Sequence, residues 1–374
     1  MRILRVVHRL FPPTVGGLSL HAHMLSVEQA RLGHEVVVFT SLEQGYPEYE
    51  RKDGYEIYRF ESIVRPLNNP LTLRLLPSLL KYHAFDILHA HSHLMFTTNL
   101  AALKAKSSAK PFVITNHGFK VERGRLLNFA QDIYLSSVGR LSLAAADSVV
   151  SFTEPEREKT IHAGVASRRA VLIPNGVDTR LFRPLPVEPV PHSVLWAGRY
   201  VPEKGVRYLL EAARLVVTTF PDARFFLVGY GEGLSEATRL RDYLGLRDQV
   251  SLLPVMEQGK LLELINQCTI FALPSLSEGF PSTVLEAMSC GKPVVVTANI
   301  GMEGVVGDAG LYVPARDPTA LANSIITLLA NEEFSDKLGK RGRETAVSQY
   351  DWLQIVEKLN TLFTNLIENK RRSD

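Results

Sequence analysis

The sequence predicts an α/β protein built from two Rossmann-like lobes, and three observations carry that expectation. Short apolar runs rich in β-branched residues alternate with helical patterns along the whole 374-residue chain. Runs such as Val36-Val-Val-Phe39 are apolar throughout, as a parallel strand covered on both faces must be. Finally, Arg183–Pro191 holds four prolines in nine residues, after which the β-then-α rhythm begins again. Proline fixes φ and cannot donate to a sheet, so that stretch reads as an extended linker.

In the first lobe the apolar runs predict strands at Ile3–Val7, Glu35–Ser41, Tyr55–Phe60, Ile87–His91, Phe112–Asn116, Ser148–Phe152 and Val171–Pro174. Helical spacing falls at His21–Leu32, Thr97–Lys106 and Leu126–Ala146. Repeated β-then-α order implies parallel strands joined by crossovers. In the second lobe strands are expected at Val194–Ala197, Phe225–Val228, Ser251–Pro254, Ile270–Leu273, Val294–Thr297 and Leu311–Val313. Helices fit Val206–Phe220, Leu261–Gln267, Thr283–Ser289 and Thr319–Ala330. From Trp352 to Ile367, Trp352, Ile355, Val356, Leu359, Leu362, Phe363, Leu366 and Ile367 form one apolar helix face. Docking that face on the first lobe would brace the pair. The expected partition is therefore 1–182 with a returning helix at 352–374, a linker at 183–191, and 192–351.

Composition narrows the function classes. Hydrophobic residues make up 45% and charged residues 22%, which suits a folded core and excludes disorder, collagen and coiled coil. No run of 18 apolar residues suggests a membrane span. Arg5, His8 and Arg9 interrupt the N-terminus, so no secretory h-region fits there. Two cysteines, Cys268 and Cys290, make neither a disulfide framework nor a multi-cysteine zinc site. A reducing cytoplasm is the expected setting. A net charge of +3 does not call for nucleic acid.

The segment Leu273–Val296 carries the chemistry. Strand, polar loop, helix, Gly-Lys-Pro turn and strand follow in order. Ser282 or Thr283 is expected to cap the helix, with Glu286 in its first turn and Glu278 eight residues earlier in the loop. A helix N-terminus at a strand tip favours anions, and doubly wound sheets bind ligands at those tips. Spacing alone also suits a helix-start charge and a solvated loop acid.

This segment resembles the Glu-x7-Glu signature of retaining GT-B glycosyltransferases of family 4, and the resemblance extends over nearly the whole chain. Gly16-Gly17, Asn175-Gly-Val-Asp178 with Phe182 and Pro184, Gly198-Arg199 with Lys204-Gly205, Gly229-Tyr-Gly231 and Gly307-Asp-Ala-Gly310 follow in the family's order. The resemblance implies two lobes facing a cleft and transfer of a sugar from a UDP- or GDP-linked donor. It implies that Glu286 binds ribose and Glu278 binds the donor sugar. Gly279, Phe280, Pro281, Ser282 and Thr283 would frame that sugar. Arg199 and Lys204 would neutralise the leaving diphosphate, Gly16 and Gly17 would approach it, and His117 would lie beside the sugar. No cofactor is expected beyond the nucleotide-sugar co-substrate. A sugar-nucleotide epimerase, a phosphorylase or a non-catalytic nucleotide-sugar-binding protein would share this architecture.

His89, His91 and His93 raise the question of a metal. Alternation on a strand puts them on one side, but no carboxylate–histidine set completes a site. An Asp-x-Asp motif is also absent from the sequence, so the expectation is that no metal is required. Arg65, Arg74, Lys104, Lys106, Lys120, Arg123 and Arg125 admit a lipid-linked or anionic acceptor and peripheral contact with the inner face of a membrane. They equally suit solvated faces.

Overall fold

The computed structural model describes residues 1–14, 16–66, 69–118, 129, 133–298 and 300–373. The chain forms two compact units, Met1–Asn175 with Trp352–Asp374, and Gly176–Asp351. The boundary thus falls at Asn175–Gly176. The proline-rich stretch expected as a linker belongs to the second unit, because its backbone finds partners there. Leu185 N–H donates to Asn266 Oδ1 at 2.9 Å and Val190 N–H to the Gln267 carbonyl at 2.8 Å.

The first unit runs β1 (Arg2–Val6), α1 (Gly17–Arg31), β2 (Glu35–Ser41), β3 (Tyr49–Lys52), β4 (Tyr55–Phe60), α2 (Leu75–Lys81), β5 (Ile87–His91), α3 (Phe96–Lys106) and β6 (Phe112–Thr115). A π-helical turn at Leu135–Gly139 leads into α4 (Arg140–Ala145), then β7 (Ser148–Ser151), α5 (Glu154–His162) and β8 (Ala170–Leu172). The strands form one sheet in the order β3-β4-β2-β1-β5-β6-β7-β8. All pairs are parallel except β3 with β4. The helix expected at 126–146 lies partly outside the described residues, as do Lys120, Arg123 and Arg125.

The second unit runs β9 (Ser193–Arg199), α6 (Val206–Thr219), β10 (Arg224–Tyr230), α7 (Leu234–Tyr243), β11 (Val250–Leu253), α8 (Gln258–Gln267) and β12 (Ile270–Leu273). It continues through α9 (Ser282–Ser289), β13 (Val294–Thr297), α10 (Ile300–Val306), β14 (Gly310–Val313), α11 (Pro318–Ala330) and α12 (Glu332–Thr345). Its parallel sheet has the order β11-β10-β9-β12-β13-β14, the doubly wound arrangement whose direction reverses between β9 and β12.

The last helix, α13 (Trp352–Ser373), belongs to the first unit. Its face buries Trp352, Ile355, Val356, Leu359 and Phe363 among Ile3, Ala22, Leu25, Val36 and Val113. Gln29 of α1 adds a 2.7 Å hydrogen bond to Asn360. Phe363 is fully buried, so Phe363→Ala should cost about 3–5 kcal/mol of stability. Chemical denaturation measures this, and a loss under about 1 kcal/mol would mean the helix is not part of that core.

Candidate functional site

In the second unit the tips of β9 and β10 and the loop between β12 and α9 meet around a pocket of about 320 Å³. Glycine makes the approach possible. A Cβ on Gly229 would stand 1.8 Å from the Gly198 carbonyl oxygen, and one on Gly205 would stand 1.9 Å from that of Pro274. Gly205 also adopts φ +67°, a left-handed conformation that favours glycine. Leu276 N–H donates to the Glu203 carbonyl at 2.7 Å and ties the two loops together.

That closeness gathers the expected residues. Arg199, Lys204, Glu278, Phe280, Pro281, Ser282 and Thr283 all line the pocket. Lys204 Nζ pairs with Glu278 Oε1, which also accepts from Ser275 Oγ at 2.8 Å. The exposed Arg199 makes no side-chain hydrogen bond or ion pair among the described residues. Ala197, Gly198, Val228, Gly229, Tyr230, Val255, Met256 and Leu261 complete the wall. Val255, Met256 and Leu261 escaped sequence reasoning, for they carry no polar signal. Gly279 is exposed between two lining residues and does not itself line the pocket.

Helix α9 departs from expectation in detail. Its N-cap is Pro281, and no side chain caps it. Ser282 is the first helical residue, so Glu286 falls in the second turn. Glu286 does not line the pocket, but it follows Ser282 and Thr283 by four and three residues and shares their helix face. Burial raises its pKa to about 8.

Gly16, Gly17 and His117 lie in the first unit. Gly16 is the N-cap of α1. Among the described residues, a Cβ on either glycine would meet nothing within 4 Å. The half-buried His117 lies just beyond the tip of β6. Its ring packs against His21 and Phe152 at 5.0 and 4.9 Å between centroids. His117 Nε2 and His91 Nδ1 share a 3.2 Å hydrogen bond. Burial and the nearby His8 push the His117 pKa down to about 3, so its ring is neutral near pH 7.

The three histidines considered for a metal take separate partners. His89 lies between Arg5 and Thr115, while His93 Nδ1 bonds Asn116 Oδ1 at 2.7 Å. His91 instead meets His21 and His117, the ligand atoms of the three lying within 4.8 Å of one another. One pair of those nitrogens is already joined by the 3.2 Å hydrogen bond. Sequence reading missed His21 and the fully buried Arg5 beneath this cluster; an arginine inside the apolar run of β1 was the available signal.

Two family models together span most of the chain. The Glycosyltransferase Family 4 model matches residues 15–181, and the model for Glycosyl transferases group 1 matches 179–345. The chain belongs to the family 4, group 1 glycosyltransferases. This glycosyltransferase is 26% identical to a phosphatidylinositol N-acetylglucosaminyltransferase component of Arabidopsis thaliana, covering 100% of this chain and 84% of the relative. It is 25% identical to the N,N'-diacetylbacillosaminyl-diphospho-undecaprenol alpha-1,3-N-acetylgalactosaminyltransferase of Campylobacter jejuni, covering 94% of this chain and 97% of the relative. Anabaena HepE, solved with UDP, superposes with a TM-score of 0.80 at 19% identity, covering 98% of this chain and 100% of that one. The fold is GT-B.

The raised pKa of Glu286 predicts a pH signature. A folded-state pKa of about 8 lies above the ordinary carboxyl value. Stability from this group is therefore present below about pH 4.5 and is lost as pH rises through about 8. Glu286→Gln should melt like the parent near pH 4.5 and at a higher temperature above pH 8. A melting-temperature difference that stays constant across this range would contradict the burial of this carboxyl.

Proposed function

We propose that this glycosyltransferase moves a hexose, with retention of anomeric configuration, from a nucleoside-diphosphate sugar to a lipid-linked acceptor at an anionic membrane surface. The observation that carries the donor half is the pocket wall shared by Arg199, Lys204 and Glu278 at the β9–β12 reversal. Apolar Val255, Met256 and Leu261 suit a nucleobase. Ser282 and Thr283 open α9, whose N-terminal dipole favours phosphate. HepE has been solved with UDP-glucose, which supports a donor of that class.

The proposed chemistry follows from charge. As the sugar–phosphate bond breaks, negative charge grows on the diphosphate. Arg199 and Lys204 stabilise it, and losing such a contact typically costs about 10²–10³ in rate. Lys204 then exchanges its pairing with Glu278 for phosphate, which frees Glu278 to accept sugar hydroxyls. Glu286, carrying no side-chain hydrogen bond or ion pair among the described residues, takes the ribose hydroxyls. The departing phosphate accepts the proton of the incoming hydroxyl on the same face, which gives retention. His117 contacts the donor sugar. The two cations serve in place of a metal ion.

The acceptor half rests on the first unit. Between Ser62 and Ala146 the acidic residues are Asp86, Glu122 and Asp132, while Lys and Arg number ten. Helices α2, α3 and α4 lie side by side, and Leu80, Leu103 and Leu141 are exposed on them. Lys104 is buried, its Nζ donating to the Leu80 carbonyl at 2.9 Å, whereas Lys81, Lys106 and Arg140 are exposed on the same helices; apolar side chains beside those cations suit an interface rich in anionic lipid. The names of the Arabidopsis and Campylobacter relatives include phosphatidylinositol and diphospho-undecaprenol, which supports an acceptor of that class. No helix among the described residues is long and apolar enough to cross a bilayer, so the contact would be peripheral.

Two measurements test this reading. Arg199→Ala and Lys204→Ala should each lower turnover by about 10²-fold or more and weaken UDP or GDP more than the free nucleoside, while EDTA leaves the parent active. Loss of activity on chelation, restored by Mg²⁺ or Mn²⁺, would refute the role given to the cations. The protein should sediment with vesicles containing phosphatidylglycerol and not with phosphatidylcholine alone, and Leu103→Glu with Leu141→Glu should release it. Equal sedimentation of parent and double variant would remove these helices from the contact.

A further inference from the structure

We propose that His91 is a positioning residue that fixes the tautomer of His117, so that His117 presents its Nδ1–H to the donor sugar. The inference rests on the reading of His117 as a sugar contact and adds which nitrogen makes that contact and what selects it.

The two rings meet through His91 Nδ1 and His117 Nε2 at 3.2 Å, so one nitrogen donates and the other accepts. The rest of His91 decides which. Its ring is completely buried, and its Nε2 has no hydrogen-bond partner among the described residues. If His91 accepted at Nδ1, its proton would sit on Nε2 as a buried, unpaired N–H. If His91 donates from Nδ1, Nε2 is only an unpaired lone pair. Unpaired buried N–H groups are the rarer and costlier case. His91 therefore donates, and His117 accepts at Nε2.

Both rings are neutral. Burial and the neighbouring histidines and Arg5 push the His91 pKa well below its ordinary value, and burial does the same for His117. A neutral imidazole that accepts at Nε2 must carry its proton on Nδ1. That Nδ1 has no partner among the described residues, so it is the nitrogen left to meet a ligand. It faces the ligand as a donor, suited to a sugar oxygen.

The neighbours hold this arrangement still. Glu156 Oε2 accepts from Phe152 N–H at 3.1 Å. It thus ties α5 to the backbone of the residue whose ring packs on His117. His89 is held in the opposite tautomer. Arg5 can only donate to its Nδ1, at 3.4 Å, so Nε2–H donates to Thr115 Oγ1 at 2.8 Å.

Long-range ¹H–¹⁵N correlation spectra of the full chain labelled in histidine read each ring's tautomer. The parent should show His117 protonated on Nδ1; protonation on Nε2 would overturn the inference. Two similar amides then separate positioning from packing. The Asn side chain can set an N–H where His91 has Nδ1, whereas that of Gln extends toward the Nε2 position. His91→Asn should keep the His117 tautomer and most of kcat. His91→Gln should shift the tautomer and lower kcat by about tenfold, with the donor KM little changed. The same tautomer and the same kcat in both variants would also overturn it. His117→Ala checks the underlying reading separately. Parent-level turnover there would remove His117 from the sugar site and end the catalytic half of the inference, while the spectra still judge the tautomer.

Discussion

The site of the second unit depends on backbone running against backbone where a side chain would otherwise begin. The carbonyl oxygens of Gly198 and Pro274 stand 1.8 and 1.9 Å from where Gly229 and Gly205 would carry a Cβ. Even alanine would force these segments apart. Their closeness lets one pocket draw on β9, β10 and the loop after β12 at once, and it brings Lys204 within reach of Glu278. Glycine spacing and cation placement are thus one requirement, since Lys204 and Gly205 are adjacent in the chain.

The first unit depends on a buried cation. Arg5 is completely enclosed and bonds Ser26 Oγ and Gln29 Oε1 at 2.5 Å each, with His89 Nδ1 at 3.4 Å. No carboxylate is among these bonding partners, and burial lowers its pKa to about 9. Through Gln29 the network reaches Asn360 of the final helix. Through His89 it reaches Thr115, two residues before His117. Its positive charge also helps to keep His91 and His21 neutral. A lysine could not reproduce this geometry, for the planar guanidinium serves three acceptors at once.

Elements that bury both faces were legible in the sequence. Ile87–His91, Ile270–Leu273 and Val294–Thr297, buried throughout, and Glu35–Ser41, buried at most residues, form strands at the expected residues, as does Tyr55–Phe60, whose buried residues alternate along the strand. Elements with little buried apolar surface were not. Strand β3, Tyr-Glu-Arg-Lys on the antiparallel edge, has no apolar alternation. Helix α5 buries only Glu156 and Thr160, and α7 only Ala237, so periodicity carried no signal there. Residues adjacent in sequence were readable as one group, as with Phe280–Thr283, which line a single pocket. The association of Arg5, His21, His91 and His117 was not, because strand order in the sheet creates it. The domain boundary was misplaced for a related reason. Prolines 184–191 marked extended backbone, but extended backbone can pack along a domain edge as readily as it can join two domains.

The crossing between units has a consequence for how the chain can be divided. Val177 N–H donates to the Tyr350 carbonyl at 2.8 Å, Val177 bridges Asp351 in parallel, and Thr179 Oγ1 bonds Asp351 Oδ2. The two ends of the second unit are therefore stitched together. In topological terms that unit is an insertion: one continuous stretch, 176–351, set into a host fold whose own pieces come from both chain ends. The guest can be encoded as a single uninterrupted gene fragment. The host cannot, because its closing helix is translated, and emerges from the ribosome, only after the whole guest. During synthesis the unit that carries the pocket of Arg199 and Glu278 can complete its fold while the other still waits for its last element.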